Sequence, residues 1–96
     1  MATIGTFTKT ERGYTGDIQT LTIKAKVALT PVTSGGDTAP DYRVTAGTAE
    51  IGAAWIRTSE AGNSYLAIKL DDPSFPAPIY ANLVDRNGKQ VLIWTR

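Results

Sequence analysis

Residues 83–94 read LVDRNGKQVLIW, with an Asn-Gly pair at their centre. Asn87 and Gly88 both tolerate the positive φ angles of a type I′ turn, which is one of the favoured two-residue connections between antiparallel strands. Apolar residues dominate the segments on either side of the pair. The stretch therefore predicts a β-hairpin in which residues 83–85 pair with residues 90–94.

Apolar residues alternate with other residues along much of the remaining chain, which is the pattern of strands with one buried face. Residues 48–56 are alanine-rich and their spacing would also fit a short helix, but Gly52 and the two-residue alternation favour a strand. The glycines in residues 34–37 predict an open loop. A first hairpin is predicted from residues 4–8 and 14–18, followed by alternating runs at 21–29, 42–46, 49–56, 65–70 and 79–84.

This succession of short strands and turns predicts an all-β fold without a helix. The 96 residues suit a single β domain that spans residues 1–96. We expect a small antiparallel β-barrel or sandwich of about six to seven short strands, and an oligonucleotide-binding-like barrel is one form of that fold. A closed sheet would also remove exposed strand edges, which promote aggregation.

Composition narrows the chemistry that this domain can perform. The sequence has no cysteine and no histidine, and its ten basic and nine acidic residues leave a net charge of +1. Disulfides, thiolate nucleophiles and histidine-based catalysis are therefore excluded. We expect no cofactor, no contact with membranes, no signal peptide and a cytoplasmic location, because a small secreted domain usually needs disulfides.

Asp71 and Asp72 form the only adjacent acidic pair with a conceivable catalytic or metal-binding role. On an extended chain their side chains point to opposite sides, so they do not converge on one ligand. Asp72 is better suited to begin an Asx turn into Pro73. We therefore predict no catalytic residue and no metal site, and a protein that is not an enzyme.

The aromatic and basic residues divide between the two faces of the predicted strands. Trp55 shares a face with Ile51 and Ala53 and is predicted to lie in the core. Outward tyrosines interleaved with cations are typical of surfaces that bind single-stranded nucleic acid, although a solvated face rich in lysine also discourages aggregation. The candidate nucleic-acid-binding residues on the polar faces are Lys24, Lys26, Arg43, Tyr65, Lys69 and Tyr80.

A proline-rich loop separates two of the predicted strands and offers a different kind of site. Its candidate residues for protein interaction are Pro73, Phe75, Pro76 and Pro78. A stiff loop loses little entropy on binding, so Phe75 could enter the pocket of a host factor or of a second copy of this chain. The alternative is that Phe75 folds back and caps the open end of the barrel.

Several segments also resemble a known family: residues 1–7, 40–44, 52–55 and above all LDDPSFPAPIY at residues 70–80. The chain resembles a family of short proteobacterial proteins of unknown function that are often encoded beside conjugation genes. The resemblance implies a role in mobile-element biology, by association, and implies no catalytic residues. One departure is Ile56, because relatives often have a lysine after the tryptophan. We expect a non-enzymatic binding module for single-stranded nucleic acid. The alternative is a protein-interaction module, a homodimer or an inhibitor of a host factor, that uses the proline-rich loop at residues 72–78 and a sheet edge.

Overall fold

The structure, a computed structural model, describes residues 2–11, 13–21, 23–32 and 39–94. The loop predicted at residues 34–37 lies outside these described residues. Within them the chain forms eight β-strands and no helix. The strands are β1 (Ala2–Thr10), β2 (Gly13–Gln19), β3 (Lys24–Pro31), β4 (Tyr42–Ala46), β5 (Ala49–Thr58), β6 (Ser64–Leu70), β7 (Ile79–Arg86) and β8 (Lys89–Trp94).

Each strand pairs antiparallel with its neighbours in sequence, and β1 also pairs with β8, so that the sheet closes into a barrel. This confirms the all-β prediction and selects the barrel over the sandwich. The described residues contain more strands than the six to seven that were predicted. The oligonucleotide-binding-like topology is wrong, because that fold is a five-stranded Greek key whereas every connection here joins adjacent strands.

The hairpin predicted around Asn87 and Gly88 is confirmed. Their φ angles are 55° and 86°, as a type I′ turn requires. Leu83 lies opposite Leu92 across the hairpin. The Oδ1 atom of Asp85 accepts a hydrogen bond from the backbone N–H of Gly88 at 3.0 Å, which adds a local restraint to the turn.

Side chains fill the interior of the barrel. Close packing there depends on a glycine at position 16: a Cβ atom at Gly16 would lie 2.7 Å from Cγ of Phe7, so any larger residue would displace the ring. Phe7 and Gly16 are cross-strand partners on the inner face of β1 and β2. The largest fully buried side chains belong to Leu29, Leu83, Leu92 and Val44.

A β-bulge interrupts the pairing of β4 with β5. Val44 pairs with Gly52, but the next residue of β4, Thr45, pairs with Glu50. Ile51 is therefore an extra residue on β5, and the alternation of inner and outer side chains changes phase there. This shift cannot be recognised from a simple two-residue period.

The bulge overturns one prediction about the core. Ala54 has no exposed surface and lies inside the barrel, so its neighbour Trp55 lies on the outer face, opposite Ala67 of β6. Trp55 was predicted to pack inside together with Ile51 and Ala53. That prediction is wrong, because the extra residue in β5 places the tryptophan on the other side of the sheet.

The start of the third strand also differs from the prediction. The alternating run was expected to begin at Leu21, but β3 begins at Lys24. The backbone N–H of Thr20 donates to the carbonyl oxygen of Ile23 at 2.7 Å, and Oγ1 of Thr20 accepts from the N–H of Ile23 at 3.1 Å. This tight turn leaves the side chain of Leu21 100% exposed.

Candidate nucleic-acid interface

A row of paired residues crosses the outer surface of four adjacent strands. Arg43 of β4 lies opposite Ala53 of β5, Ala53 lies opposite Lys69 of β6, and Lys69 lies opposite Tyr80 of β7. Adjacent strands are about 4.8 Å apart, so Arg43 and Lys69 are separated by about 10 Å. Tyr80 is 61% exposed, and its ring is therefore available at the surface.

Neighbouring rows add two further aromatic side chains and a third cation. Trp55 lies two residues beyond Ala53 on β5, and Arg57 lies two residues beyond Trp55 and opposite Tyr65 of β6. Residues two apart on a strand share a face, so these side chains continue the same surface. We call it the basic–aromatic face and define it by Arg43, Trp55, Arg57, Tyr65, Lys69 and Tyr80.

Sequence reasoning missed two members of this surface, Trp55 and Arg57. The run from Ala53 to Ile56 contains no polar residue that would indicate which side faces outward. The available signal was Arg57, since a charged residue near the end of a strand normally faces solvent and residues two apart share a face. Counting back from Arg57 would have placed Trp55 outside.

The strands that carry this surface have more basic than acidic residues. Strands β4 to β7 contain four basic residues, which are Arg43, Arg57, Lys69 and Arg86, and two acidic residues, which are Glu50 and Asp85. Both acidic residues lie near strand ends. The balance on the strands alone is therefore four minus two, or +2, whereas the segments beside them add Asp41, Glu60, Asp71 and Asp72 and bring residues 41–86 to four minus six, or −2.

Asp41 stabilises one end of the same surface. Its Oδ2 atom accepts a hydrogen bond from the backbone N–H of Ile56 at 2.8 Å, and its own N–H donates to the carbonyl oxygen of Ala54 at 2.9 Å. These bonds flank Trp55 on both sides. They attach the start of β4 to β5 and hold the backbone of the tryptophan in place.

Two of the predicted binding residues lie apart from the others. Lys24 and Lys26 are on β3, where their cross-strand partners are Gln19 and Asp17. The cross-strand partner of Arg43 on β3 is Thr30, so neither lysine lies directly opposite Arg43. Lys26 precedes Thr30 by four residues, a distance of about 13 Å along a strand. The structure therefore places Arg43, Lys69 and Tyr80 in one row and Tyr65 about 13 Å further along β6, whereas both β3 lysines lie beyond the residues of β3 that pair with β4.

The proline-rich loop folds back onto the barrel. Phe75 is half-buried and packs against the core cluster, where it caps one end of the barrel. The side chains of Pro73, Pro76 and Pro78 are exposed. The structure therefore places Phe75 as the alternative interpretation expected, facing inward instead of projecting towards a partner.

Hydrogen bonds to Asp72 hold this loop in an Asx turn, as predicted. Oδ2 of Asp72 accepts from the backbone N–H of Ser74 at 2.9 Å and from its hydroxyl, and the carbonyl oxygen of Asp72 accepts from the N–H of Phe75 at 2.8 Å. The bonds from Ser74 lower the pKa of Asp72 below its ordinary value. Among the described residues, no three acidic side chains cluster in a way that could hold a metal ion.

Beside the loop, the capped end of the barrel has an apolar groove. Its volume is about 530 Å³. Leu21 stands fully exposed at its border. The apolar residues that line it include Ile4, Leu21, Ile23, Phe75, Pro76 and Trp94.

Taken together, these features define a small closed antiparallel β-barrel with a filled interior and one basic and aromatic outer surface. The chain belongs to the family described as "Protein of unknown function (DUF736)", whose model matches residues 3–96. Comparison with curated proteins and with solved structures found no match. In the described part of the chain, no helix is long and apolar enough to cross a membrane.

Proposed function

We propose that this protein is a non-enzymatic binding module that contacts single-stranded nucleic acid through the basic–aromatic face. The observation that supports it most directly is the row in which Arg43, Lys69 and Tyr80 share one side of three strands. Single strands bind to such surfaces because bases stack on aromatic rings while cations follow the phosphates.

The order of side chains along the row suits this kind of ligand. The two cations are separated by the small side chain of Ala53, and the ring of Tyr80 follows directly beside Lys69. Phosphates can therefore approach the cations without obstruction, while an unpaired base stacks on the exposed ring. Duplex DNA hides the faces of its bases, so a surface of this kind favours single strands.

A fluorescently labelled oligonucleotide titrated at low salt tests the proposal. We expect saturable binding that weakens as salt increases. With three cations on the face, the slope of log affinity against log salt should be about −2, since each phosphate contact on a single strand contributes about −0.7. Absence of binding, or binding that salt does not change, would refute the proposal.

The two lysines on β3 provide a matched control. The double variant Arg43→Ala/Lys69→Ala and the double variant Lys24→Ala/Lys26→Ala remove the same number of positive charges. The first removes them from the basic–aromatic face and the second from elsewhere on the barrel. We expect the first to lose most of its affinity and the second to keep it. Equal losses would mean that net charge alone governs binding.

The cellular setting of the proposal comes from the resemblance to proteins that are often encoded beside conjugation genes. We propose a role in mobile-element biology on that basis, and the cytoplasmic location expected from the sequence remains part of the proposal. A pull-down from the native host, with and without nuclease treatment, tests this assignment. Nucleic acid, or partners that nuclease releases, should be recovered with the protein.

A second candidate function is self-association as a protein-interaction module. The observation that favours it is the full exposure of Leu21 beside the apolar groove, together with the exposed ring of Pro76. An aliphatic side chain in that position could insert into the groove of a second copy. Phe75 is unsuitable as a probe of this idea, because its ring is needed by the core.

Sedimentation analysis distinguishes this second candidate. If the protein self-associates, the native protein should sediment as a dimer and the variant Leu21→Ser should sediment as a monomer. Lys89→Ser, which changes an exposed residue at the other end of the barrel, is the control and should leave the dimer intact. A monomer at every concentration would eliminate self-association.

A further inference from the structure

The open end of the barrel, opposite Phe75, contains a second pocket with a different lining. Its volume is about 260 Å³. We call it the mouth pocket. The residues that line it include Lys9, Tyr14, Tyr42, Ser64, Tyr65 and Gln90.

Buried leucines and two tyrosines form the interior of the mouth pocket. Leu66 and Leu83 belong to the core and close the pocket from below. The rings of Tyr14 and Tyr42 meet edge to face, with centroids 5.7 Å apart and an angle of 67°. This contact and their packing against the core hold both rings in place. The leucines and the two rings therefore form an apolar floor in a pocket whose lining also includes polar side chains.

Polar groups at the opening supply hydrogen bonds for the edges of a flat ring. The amide of Gln90 offers both a donor and an acceptor, the hydroxyl of Ser64 offers the same, and Lys9 offers a cation. Burial, with a further contribution from Tyr14, raises the pKa of Tyr42. The volume is smaller than the roughly 300–1,000 Å³ of pockets for drug-sized ligands, and a ligand of one or two rings fits it.

Tyr65 connects the mouth pocket with the basic–aromatic face. It is the cross-strand partner of Arg57 on the outer side of β5 and β6, and it also lines the mouth pocket. Ile56, which is 50% exposed, also lines the mouth pocket and lies on β5 between Trp55 and Arg57 of the basic–aromatic face. A nucleic-acid strand lying on the face can therefore reach the opening without leaving the protein.

We propose that the mouth pocket binds one unstacked nucleobase, which belongs to the strand that the basic–aromatic face holds. This inference rests on the proposed function, since it places a single base of that strand. The ring packs against the exposed side of the tyrosine pair, Gln90 and Ser64 contact its edge, and Lys9 faces the attached phosphate. Single-stranded nucleic acids are commonly recognised in this way, with a splayed base stacked on aromatic rings and hydrogen-bonded at its edges.

Adenosine monophosphate and ribose 5-phosphate form a matched pair of probes for the pocket. They share sugar and phosphate and differ by the base. In NMR titrations of the ¹⁵N- and ¹³C-labelled protein, we expect adenosine monophosphate to shift the side-chain amide signals of Gln90 and the ring signals of Tyr14 and Tyr42 in a saturable way. Ribose 5-phosphate should not. Shifts confined to the basic–aromatic face, or equal shifts with both probes, would overturn the assignment.

Variants at the opening distinguish direct contact from structural disturbance. Gln90→Ala should weaken binding of adenosine monophosphate about fivefold, as expected for one lost hydrogen bond, and should leave the thermal midpoint nearly unchanged. Tyr42→Phe keeps the ring and should retain most of the binding. Unaltered affinity in Gln90→Ala would contradict the assignment of that residue.

The outcomes also separate this inference from the proposed function. Oligonucleotide binding that depends on Arg43 and Lys69, without mouth-pocket shifts from adenosine monophosphate, would refute the pocket alone. Mouth-pocket shifts in a protein that binds no oligonucleotide would support the pocket and refute the proposed function. If neither probe binds, both are wrong.

Discussion

Lys69 and Tyr80 lie directly opposite each other on β6 and β7, with both side chains on the outside of the barrel. Cross-strand neighbours in an antiparallel pair have Cα atoms about 5 Å apart, so the cation is held beside the ring. Both residues belong to strands that are paired on each side. A rigid sheet therefore presents this charge and this stacking surface, and binding requires little ordering of the protein.

Charge and stacking should leave different signatures in binding experiments. Tyr80→Leu removes a stacking ring and no charge, so we expect affinity to fall on the order of 5- to 150-fold, equivalent to the ~1–3 kcal/mol of one stacked base. Its salt slope should stay unchanged. Lys69→Gln should instead flatten the slope by about 0.7. Anisotropy titrations over a range of salt concentrations measure both quantities.

Each of these variants is the control for the other. The interpretation fails if Tyr80→Leu flattens the salt slope, or if Lys69→Gln leaves it unchanged while affinity falls. Circular dichroism should show the same β-barrel spectrum for both variants, because both side chains lie outside the core.

Phe75 should contribute to stability and not to partner binding. Phe75→Ala removes a half-buried ring from the end of the barrel, and we expect a loss of about 2–3 kcal/mol, below the ~3–5 kcal/mol of a fully buried phenylalanine. Pro76→Ala, at an exposed neighbour, should cost less than about 1 kcal/mol. Urea unfolding of both variants measures the difference. Equal stability of the two variants would show that Phe75 does not cap the barrel.

Gly16 should be intolerant of even one additional carbon. In Gly16→Ala the new Cβ would lie 2.1 Å from the carbonyl oxygen of Thr6 and 2.7 Å from Cγ of Phe7. Since the nearest obstacle is backbone, we expect a loss of about 1–3 kcal/mol from overpacking. Thermal or urea unfolding provides the measurement.

Gly47→Ala is a suitable comparison, because its Cβ would meet nothing within 4 Å although φ is +65°. It therefore isolates the backbone strain of about 1–2 kcal/mol. A Gly16→Ala variant as stable as the native protein would show that β1 and β2 can separate to admit the methyl group.

Tyr42 should titrate at unusually high pH. Burial, and then the neighbouring Tyr14, raise its pKa above the ordinary value of 10.0. Because the folded pKa exceeds the unfolded one, the stability linked to this group is fully present below about pH 10 and is lost as pH rises through the folded pKa. We expect the difference between the absorbance titrations of the native protein and of Tyr42→Phe to show one phenol that ionises at a pH above the ordinary pKa of tyrosine.

Measurements of the free energy of unfolding independently check that stability falls as the pH rises. Between neutral pH and the alkaline range, the native protein should lose more free energy of unfolding than Tyr42→Phe, which has no group to ionise at that position. A native protein with the flatter alkaline profile would contradict the assignment.

Much of the architecture follows from short-range patterns. The Asn87-Gly88 pair predicts its hairpin because few other residues accept two consecutive positive φ angles. Alternation predicts the outward positions of Tyr65 and Tyr80, since β6 and β7 run without a bulge. In these elements the local chain contains all the necessary information.

The errors arise where the chain departs from a strict period. Ile51 is an extra residue only because of the way in which β5 pairs with β4. The resulting bulge moves Trp55 from the predicted core to the surface. Leu21 continues the apolar alternation but lies in a turn closed by Thr20 and Ile23. In both places hydrogen bonds with other residues override the pattern.

By itself, the sequence determined that the chain is all-β, that its hairpins form at particular turns, and that cysteine and histidine chemistry is absent. Only the tertiary structure decided that β1 meets β8, that Lys24 and Lys26 lie apart from Arg43 and Lys69, and that Phe75 faces inward. The reason is physical. Turn geometry and alternation involve residues a few positions apart, whereas closure, bulges and the grouping of side chains depend on which strands pair and in which register.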